Sequence, residues 1–444
     1  MPNNNTTYYM TSLGCARNLV DSEIMAGSLD AAGLVAAPDA ADADIIIINT
    51  CGFIESAIDE SIDAILELAQ QKTSGRCRRL IVAGCLPERF REEIAPTLPE
   101  VDVFLGTGAC PRIVAAALDL HADGQSLILP SPEANPLQHH DSRRTTPASP
   151  SVYLKITEGC NRRCTYCIIP KLKGRLRSRP MDDILMEAQH LIKAGYREIV
   201  LIGQDTGSFG SDLPAEASLD RLLADIASLS SDIWVRFLYG SPDRTTDALL
   251  NTVAAFDNIC SYFDVPVQHA SGKILKRMGR NGDAADLRRL FERIRAMVPD
   301  AVLRTTLMVG FPGETVKDFE QLMAFVDTVQ FDHVGVFTYS DAEDLVSHHL
   351  PGHVSRKTAQ KRYDAVMDLQ AGISRARNEK YLGRTFPVLI EERMDDGLYT
   401  GRAAFQAPEV DGIIYVEASD LRIGEFTPVT ITDAFEYDLK GRTP

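Results

Sequence analysis

The apolar positions of the first hundred residues alternate between two patterns. Short apolar runs, typical of buried β-strands, predict four strands, at residues 8–13, 44–49, 79–83 and 101–105. Between the strands, apolar residues at spacings of three and four predict helices over residues 18–32 and 55–71. Strands that alternate with helices indicate βαβ units. We therefore predict an α/β domain over residues 6–123, built on a doubly wound parallel sheet.

The rest of the chain shows three further patterns. Residues 124–150 are rich in Pro, Ser, Thr, His and Arg, which predicts a linker. A second strand–helix series over residues 151–381 predicts a partial (βα)6 barrel, whose ligands would bind at the carboxyl ends of its strands. Its predicted strands are residues 152–156, 198–202, 234–239, 262–267, 302–309 and 333–338. Strand-like runs separated by turns predict a small β-barrel over residues 383–444.

The composition of the chain indicates where in the cell the protein acts and which partners it favours. Its 444 residues are 45% hydrophobic, enough for several cores, and no apolar run has the length of a membrane span. The first residues are polar and unlike a signal sequence, so we expect a cytoplasmic protein without a membrane partner. Nine cysteines in such a chain favour metal binding over disulfides. The net charge of -16 opposes attraction to a phosphate backbone and favours a basic partner.

A loop that follows the first predicted barrel strand carries three closely spaced cysteines. Cys160, Cys164 and Cys167 occur in EGCNRRCTYCIIP. Three thiolates can ligate three irons of a 4Fe-4S cluster and leave the fourth iron open. A structural zinc site is the alternative, but it needs four ligands, and no fourth Cys or His follows at short spacing. The spacing, with the aromatic Tyr166 before the last cysteine, resembles the radical S-adenosylmethionine superfamily.

Two more segments follow predicted barrel strands and fit the same site. Gln204 and Asp205 follow the second strand, and Gly310 and Pro312 lie in MVGFPGE after the fifth. The superfamily resemblance implies that the first segment contacts the methionine amino group and that the second lines the adenosine pocket. It also implies that Tyr166 lies beside the bound S-adenosylmethionine.

A second set of cysteines lies in the N-terminal domain. Cys15, Cys51 and Cys85 each directly follow a predicted parallel strand, and such strand ends converge on the ligand crevice of a doubly wound fold. We therefore predict a second cluster with one open iron. The alternative is that these are ordinary buried core cysteines. The other three cysteines are interpreted as structural: Cys77, Cys110 and Cys260. Among them, Cys110 most resembles the predicted cluster ligands, because it closely follows a predicted strand.

Motifs along the whole chain resemble one family. In order they are SLGCARNLVDSE, NTCGFIESA, GCLPERF, EGCNRRCTYCIIP, GRLRSRP, FPGET, APEVDGIIYV and EYDL. The chain resembles the bacterial ribosomal protein S12 methylthiotransferases, although Ala16 and Arg17 replace the Pro-Lys pair common in the family. The resemblance implies an N-terminal methylthiotransferase domain, a radical S-adenosylmethionine barrel and a C-terminal TRAM domain that recognises the substrate.

The family activity that the resemblance implies is insertion of a methylthio group at the β-carbon of an aspartate in S12. That carbon is unactivated, so the reaction needs a radical. The cluster on the barrel cysteines would generate a 5'-deoxyadenosyl radical, the second cluster would present sulfur, and another S-adenosylmethionine would supply the methyl group. S12 would be modified free or within the ribosome, and an electron donor and a sulfur source are implied as partners.

Related enzymes modify an adenosine of transfer RNA at C2, and this substrate is the alternative. The GCARNLVDSE and NTCGFI motifs match the S12 enzymes, and residues 384–444 carry six basic and twelve acidic side chains, a net charge of -6. An acidic TRAM domain is suited to a basic ribosomal protein, although acidic surface can also serve solubility alone. Transfer RNA is therefore the less favoured partner.

Two other classes of function compete with an enzyme. An electron-transfer protein would ligate its clusters fully with cysteine, and a ribosome-binding scaffold would leave the cysteine pattern without a purpose. Several other polar groups are interpreted as scaffold rather than as metal or substrate ligands: Arg175, Arg177, Arg179, the pair His139 and His140, and the pair His348 and His349.

Overall fold

The computed structural model describes residues 6–119, 124–138, 143–145, 149–214 and 216–444. His139 and His140 lie outside the described residues, as does part of the predicted linker. The chain packs into two compact units. The first contains the described residues up to 146 together with 155–162 and 168–184, and the second contains those of 147–154, 163–167 and 185–444. The three predicted domain ranges stay a prediction.

The first unit is built on a six-stranded sheet with helices on both faces. Its elements are β1 (Thr7–Ser12), α1 (Ala16–Ala31), β2 (Val35–Ala36), β3 (Ile45–Thr50), α2 (Glu55–Ala69), α3 (Gln71–Ser74), β4 (Arg79–Gly84), α4 (Cys85–Phe90), β5 (Val103–Leu105), α5 (Ile113–Leu118) and β6 (Ser126–Ile128). The strand order is β2-β1-β3-β4-β5-β6, and every neighbouring pair is parallel. The order reverses between β1 and β3, which creates a ligand crevice at the carboxyl ends of these strands.

Alternate residues of the central strands feed two separate cores. Ile45 and Ile47 pack in one hydrophobic cluster, whereas Ile46 and Ile48 pack in the other. Successive side chains of a strand point to opposite faces, so a continuous apolar strand indicates a sheet covered on both sides. The predicted doubly wound sheet is therefore confirmed.

The described part of the central region contains eight strands, and six of them form the partial barrel. The elements are β7 (Ser151–Lys155), β8 (Thr157–Glu158), α6 (Ile169–Lys173), β9 (Arg177–Ser178), α7 (Met181–Lys193), β10 (Glu198–Ile202), α8 (Leu219–Ala227), β11 (Trp234–Phe237), α9 (Asp247–Ala255), β12 (Tyr262–Asp264), α10 (Gly272–Arg277), α11 (Ala284–Met297), β13 (Val302–Val309), α12 (Val316–Val329), β14 (His333–Thr338) and α13 (Arg356–Asn378). Strands β8 and β9 form a separate antiparallel pair.

Two three-stranded sheets make up the partial barrel. Their orders are β11-β10-β7 and β12-β13-β14. A parallel bridge between Val235 and Ile259 joins the sheets at β11 and the segment before β12. The six strands therefore follow one another as the sequence predicts.

The C-terminal region forms a closed five-stranded barrel. It contains β15 (Thr385–Asp395), β16 (Leu398–Ala403), β17 (Ile414–Glu417), β18 (Phe426–Ala434) and β19 (Leu439–Arg442), joined in the order β15-β16-β17-β19-β18. Val388, Val416 and Ile431 are among the side chains that fill its core. This barrel confirms the predicted fold class. Among the residues that the structure describes, no helix combines the length and apolarity needed to cross a membrane.

Candidate functional site

Three cysteine-bearing loops meet at the carboxyl ends of β1, β3 and β4. Cys15 precedes α1, and Cys85 is the first residue of α4. Gly14 has a φ of +88°, and a Cβ built on it would lie 2.7 Å from Cys51 Cβ and 3.1 Å from Cys51 Sγ. A Cβ on Gly52 would lie 2.9 Å from the carbonyl oxygen of Cys85. The backbone thus approaches so closely at these two glycines that the three predicted cysteines are brought together.

Buried polar side chains fix the first two cysteine loops. The Asn18 side-chain amide donates to the carbonyl oxygens of Leu13 (3.1 Å) and Thr50 (2.8 Å), one from each loop. The Ser61 hydroxyl accepts a hydrogen bond from the backbone nitrogen of Cys51 at 3.2 Å. The same hydroxyl donates to the Cys51 carbonyl oxygen at 2.9 Å. The Asn18 side chain bonds to carbonyl oxygens 5 and 32 positions away, and the Ser61 side chain bonds to a residue 10 positions away. The loops are therefore held by side chains that the sequence analysis did not single out.

The charges around the three thiols differ. Burial opposes the Cys15 thiolate, but Arg17, the Asn18 backbone and Lys173 outweigh it and lower the pKa of Cys15. Burial raises the pKa of Cys51, and it raises that of Cys85 to about 12, where the charges of Cys15 and Cys51 add to the effect. A metal must therefore displace protons from Cys51 and Cys85, whereas Cys15 is the most readily ionised of the three.

A buried ion cluster lies beside these thiols. Lys173 Nζ is 3.0 Å from Asp21 Oδ2, Lys155 Nζ is 2.8 Å from Glu158 Oε2, and Lys155 also contacts Asp21. All four side chains are at most 6% exposed. Burial alone would lower the pKa of Lys173, but Asp21 and Glu158 hold it well above its usual range. Lys173 is therefore a fixed cation that also favours the Cys85 thiolate.

The donor set at the strand ends fits an iron-sulfur cluster better than one ion. Within the described residues, no three Cys, His, Asp or Glu side chains converge on a single metal position. A four-iron cube presents its irons at separate corners, so its thiolates need not converge in that way. All nine cysteines lie in the described part of the chain, and none forms a disulfide.

The barrel cysteines lie on the loop after β7 and are partly exposed. In the first unit, the Cys160 backbone nitrogen donates to Gly174 O at 3.2 Å, and Arg162 N donates to Cys160 Sγ at 3.4 Å. In the second unit, Cys167 N donates to Cys164 O at 3.1 Å. Backbone contacts therefore shape the loop while leaving the thiols partly accessible.

Tyr166, which the superfamily resemblance predicts to lie beside S-adenosylmethionine, contacts two side chains from other parts of the barrel. Its hydroxyl accepts a hydrogen bond from Arg280 Nε at 3.0 Å, and its ring meets Phe311 edge-on with centroids 6.4 Å apart. Burial raises the pKa of Tyr166, and the charges of Cys164 and Cys167 raise it further. The loop after β7 and the loop after β13 therefore meet at this aromatic pair.

The two other predicted segments have different environments. Asp205 is buried, and its carboxylate accepts hydrogen bonds from Ser208 (2.8 Å) and Ser241 (3.0 Å), which brace the loop after β10. The neighbouring Gln204 is partly exposed. The Gln204 side-chain oxygen is nevertheless buried.

The turn after β13 is organised by a buried carboxylate. Glu314 accepts a hydrogen bond from the Gly310 backbone nitrogen, and it lies 3.2 Å from Arg362 NH1. Its Oε1 is 3.6 Å from His269 Nε2, in a pair that is fully buried. The His269 Nδ1 accepts from two backbone N–H groups, so Nε2 carries the proton in the neutral ring. Pro312 is buried within this turn.

The residues interpreted as scaffold have local partners. Arg177 donates to backbone oxygens of Glu133 and Asn135, and Arg179 pairs with Asp183 at 2.6 Å. The remaining cysteines, Cys77, Cys110 and Cys260, are buried, and burial raises the pKa of each. These environments are those of structural groups.

Three family profiles match consecutive parts of the chain. The profile described as uncharacterized protein family UPF0004 matches residues 7–106, the radical SAM superfamily matches residues 154–326, and the TRAM domain matches residues 382–443. The three matched regions contain the N-terminal cysteine loops, the barrel loop and the small β-barrel, respectively.

Curated relatives match almost the full length. The ribosomal protein uS12 methylthiotransferase RimO of Desulfosudis oleivorans is 54% identical over 434 residues, which cover 98% of this chain and 99% of the relative. The chain belongs to the ribosomal protein uS12 methylthiotransferase RimO family. The RimO protein of Clostridioides difficile is 46% identical over 97% of each chain. This membership makes the chain a radical S-adenosylmethionine methylthiotransferase, as the sequence motifs predict.

Solved structures agree at the level of fold. The radical S-adenosylmethionine methyltransferase TsrM from Kitasatospora setae, with tryptophan and a SAM analogue bound, has a TM-score of 0.56 and 12% identity. The match covers 75% of this chain and 73% of that one. The α/β architecture is therefore shared with a radical enzyme of very different sequence.

Proposed function

We propose that this protein inserts a methylthio group at the β-carbon of an aspartate in ribosomal protein S12, and that it uses two 4Fe-4S clusters. Cys160, Cys164 and Cys167 would hold one cluster. Cys15, Cys51 and Cys85 would hold the other. The names of the curated relatives support S12 as the substrate.

The observation that carries the proposal is the meeting of three loops in the first unit. The close approaches of Gly14 to Cys51 and of Gly52 to Cys85 support a common ligand for cysteines that are 36 and 34 residues apart. The sheet reverses its strand order at this position, where doubly wound folds bind ligands. Buried core cysteines would not require such a crevice.

When bound, the clusters and S-adenosylmethionine supply a 5'-deoxyadenosyl radical, a sulfur atom and a methyl group. The chain's own residues bind and orient these groups. Arg17 and Lys173 favour the thiolate forms that ligate iron, because their positive charges lower the pKa of Cys15. Tyr166 and Phe311 provide apolar walls at the cofactor end of the barrel, where Glu314 holds the turn that begins at Gly310.

The charge of the C-terminal barrel supports a protein substrate over transfer RNA. Residues 384–444 carry a net charge of -6, and acidic side chains are exposed at the turn between β15 and β16 and beyond β17, at Asp395, Asp396 and Asp420. Such a surface attracts a basic protein and repels a phosphate backbone. The reaction also requires an electron donor and a sulfur source.

Two measurements test the proposal. After anaerobic reconstitution, Cys160→Ala and Cys15→Ala are each expected to remove about half of the bound iron, and the double variant nearly all of it. The reduced protein is then offered S12 and transfer RNA in parallel with S-adenosylmethionine and sulfide, and methylthio mass gain is measured. A single cluster in the native protein, or modification of RNA alone, would overturn the proposal.

A further inference from the structure

One loop of the small β-barrel is buried against the first residues of the central strands. This loop, residues 404–411, ends at Asp411, whose side chain is fully buried. The Tyr262 hydroxyl donates to Asp411 Oδ2 at 2.5 Å, and Asp411 Oδ1 lies 3.6 Å from Arg304 Nε and 3.5 Å from His333 Nδ1. The loop therefore contacts residues of β12, β13 and β14.

The same loop is braced from within. Arg402 NH1 donates to the Gln406 carbonyl oxygen at 2.8 Å, and the Gln406 side chain accepts from Ala403 N at 3.2 Å. The Ala407 nitrogen donates to Asp411 Oδ2 at 2.8 Å. Gln406 and Ala407 are buried. These contacts fix the position of the loop's tip.

Glu409 is the exposed carboxylate at that tip, and it has a left-handed φ of 66°. The Tyr153 hydroxyl donates a hydrogen bond to it, and burial and this carboxylate both raise the pKa of Tyr153. Tyr153 is the third residue of β7. Ser151, two residues earlier and therefore on the same face of the strand, donates to the buried Glu198 at 2.7 Å. Glu409 therefore lies beside the face of β7 that carries Ser151 and Tyr153.

The surroundings of Glu409 extend toward the reactive end of the barrel. Tyr239 lies close enough to Tyr153 to contribute to its raised pKa, and it follows the carboxyl end of β11 with a φ of 61°. Its backbone nitrogen donates to Asp264 Oδ2 at 2.9 Å, and Asp264 Oδ1 lies 3.2 Å from Arg304 NH1. The same Arg304 contacts the buried end of the loop. One polar network thus joins the loop to the strand ends where barrel enzymes bind substrate.

We propose that Glu409 is a substrate-binding residue, which pairs with a cationic side chain of the protein segment that enters the barrel. The inference rests on the proposed function, in which that segment belongs to a basic ribosomal protein. Arg402, which lies two residues before the loop, is paired with Glu198 and Glu391, each at 2.6 Å. An exposed carboxylate beside tyrosine hydroxyls is a suitable acceptor for a lysine or arginine. The C-terminal barrel then contributes a residue to the substrate site itself.

The test compares Glu409→Gln, Glu409→Asp and a control, Glu320→Gln, which alters an exposed carboxylate on α12. The readouts are KM and kcat for methylthiolation of S12 at several salt concentrations. Glu409→Gln is expected to raise KM about threefold to tenfold, to leave kcat within about twofold and to weaken the salt dependence of KM. The aspartate variant should recover part of the loss, and the control should match the native protein.

A second arm uses S12 variants in which lysines and arginines near the modified aspartate are replaced by glutamine, one at a time. For one of them, the native protein and Glu409→Gln are expected to have the same KM, because the pair is already absent. An unchanged KM and salt dependence in Glu409→Gln would overturn the proposal, as would an equal rise in KM on every S12 variant. Failure of the native protein to modify S12 would instead overturn the proposed function.

Discussion

Replacing Glu198 by glutamine tests how the C-terminal barrel is held on the central strands. Glu198 is fully buried at the start of β10. It accepts hydrogen bonds from Arg236 Nε (2.7 Å), Arg402 NH2 (2.6 Å) and the Ser151 hydroxyl (2.7 Å). Arg402 belongs to β16, so this carboxylate joins the two parts of the second unit.

The size of the effect follows from the pKa of Glu198. Burial raises this pKa, but Arg402 and Arg236 outweigh burial and lower it from 4.5 to about 2. The lowering corresponds to about 3 kcal/mol of stability. Because the folded-state pKa is depressed, this contribution is complete above about pH 4.5 and is lost as the pH falls toward 2. Loss of one member of a buried ion pair likewise costs about 3–5 kcal/mol.

Trp234, the single tryptophan, provides the assay. Its ring packs on Phe426 of β18 with centroids 4.6 Å apart, so its fluorescence reports on the same interface. Glu198→Gln is expected to lower the free energy of unfolding of the metal-free protein by about 3–5 kcal/mol at neutral pH. It should also flatten the dependence of stability on pH between 4.5 and 2.

The matched control is Glu391→Gln. Glu391 also pairs with Arg402 at 2.6 Å, but its side chain is 22% exposed, so its loss is expected to cost only about 1 kcal/mol. Equal losses for the two variants, or a Glu198→Gln protein as stable as the native one across this pH range, would show that Glu198 does not hold the C-terminal barrel on the central strands.

Three further predictions concern the cysteine loops and the turn after β13. Asn18→Ala removes a buried donor shared by two cysteine loops, so we expect a loss of about 2–3 kcal/mol in unfolding free energy and less bound iron after reconstitution. Native iron content in this variant would contradict the prediction. Arg17→Met removes the main cation that favours the Cys15 thiolate, so the alkylation of Cys15 in metal-free protein should shift to higher pH. An unchanged dependence of the alkylation rate on pH would show that this charge is unimportant. Glu314→Gln weakens the acceptor that holds the Gly310 backbone nitrogen, so we expect S-adenosylmethionine to bind about threefold to tenfold more weakly, as measured by equilibrium dialysis. Binding equal to that of the native protein would contradict this prediction.

The long strands were predictable because their apolar patterns are strong. The strands at residues 198–202, 302–309 and 333–338 begin and end where the sequence predicts. Short strands were missed, since two to four residues cannot display an alternating pattern. These are Val35–Ala36, Ser126–Ile128, Thr157–Glu158, Arg177–Ser178 and Leu439–Arg442. The second lies within the segment whose composition predicts a linker, and it pairs with β5.

The meeting of three N-terminal cysteines was predictable from strand order alone, because parallel strand ends share one edge. The polar side chains that surround the cysteine loops and join the C-terminal barrel to the central strands could not be predicted. Lys173 pairs with Asp21 across 152 positions, and Asp411 meets Tyr262 across 149. Contacts of this kind depend on how whole elements pack, and no local pattern of residues carries that information.

Isotope transfer can test whether a radical forms at the β-carbon of an S12 aspartate. The reduced protein is incubated with S-adenosylmethionine, sulfide and S12 whose aspartates carry deuterium at the β-carbon. We predict a methylthio mass gain on one aspartate of S12 together with deuterium in the released 5'-deoxyadenosine. A modified S12 accompanied by 5'-deoxyadenosine without deuterium would exclude hydrogen abstraction from this carbon by the 5'-deoxyadenosyl radical.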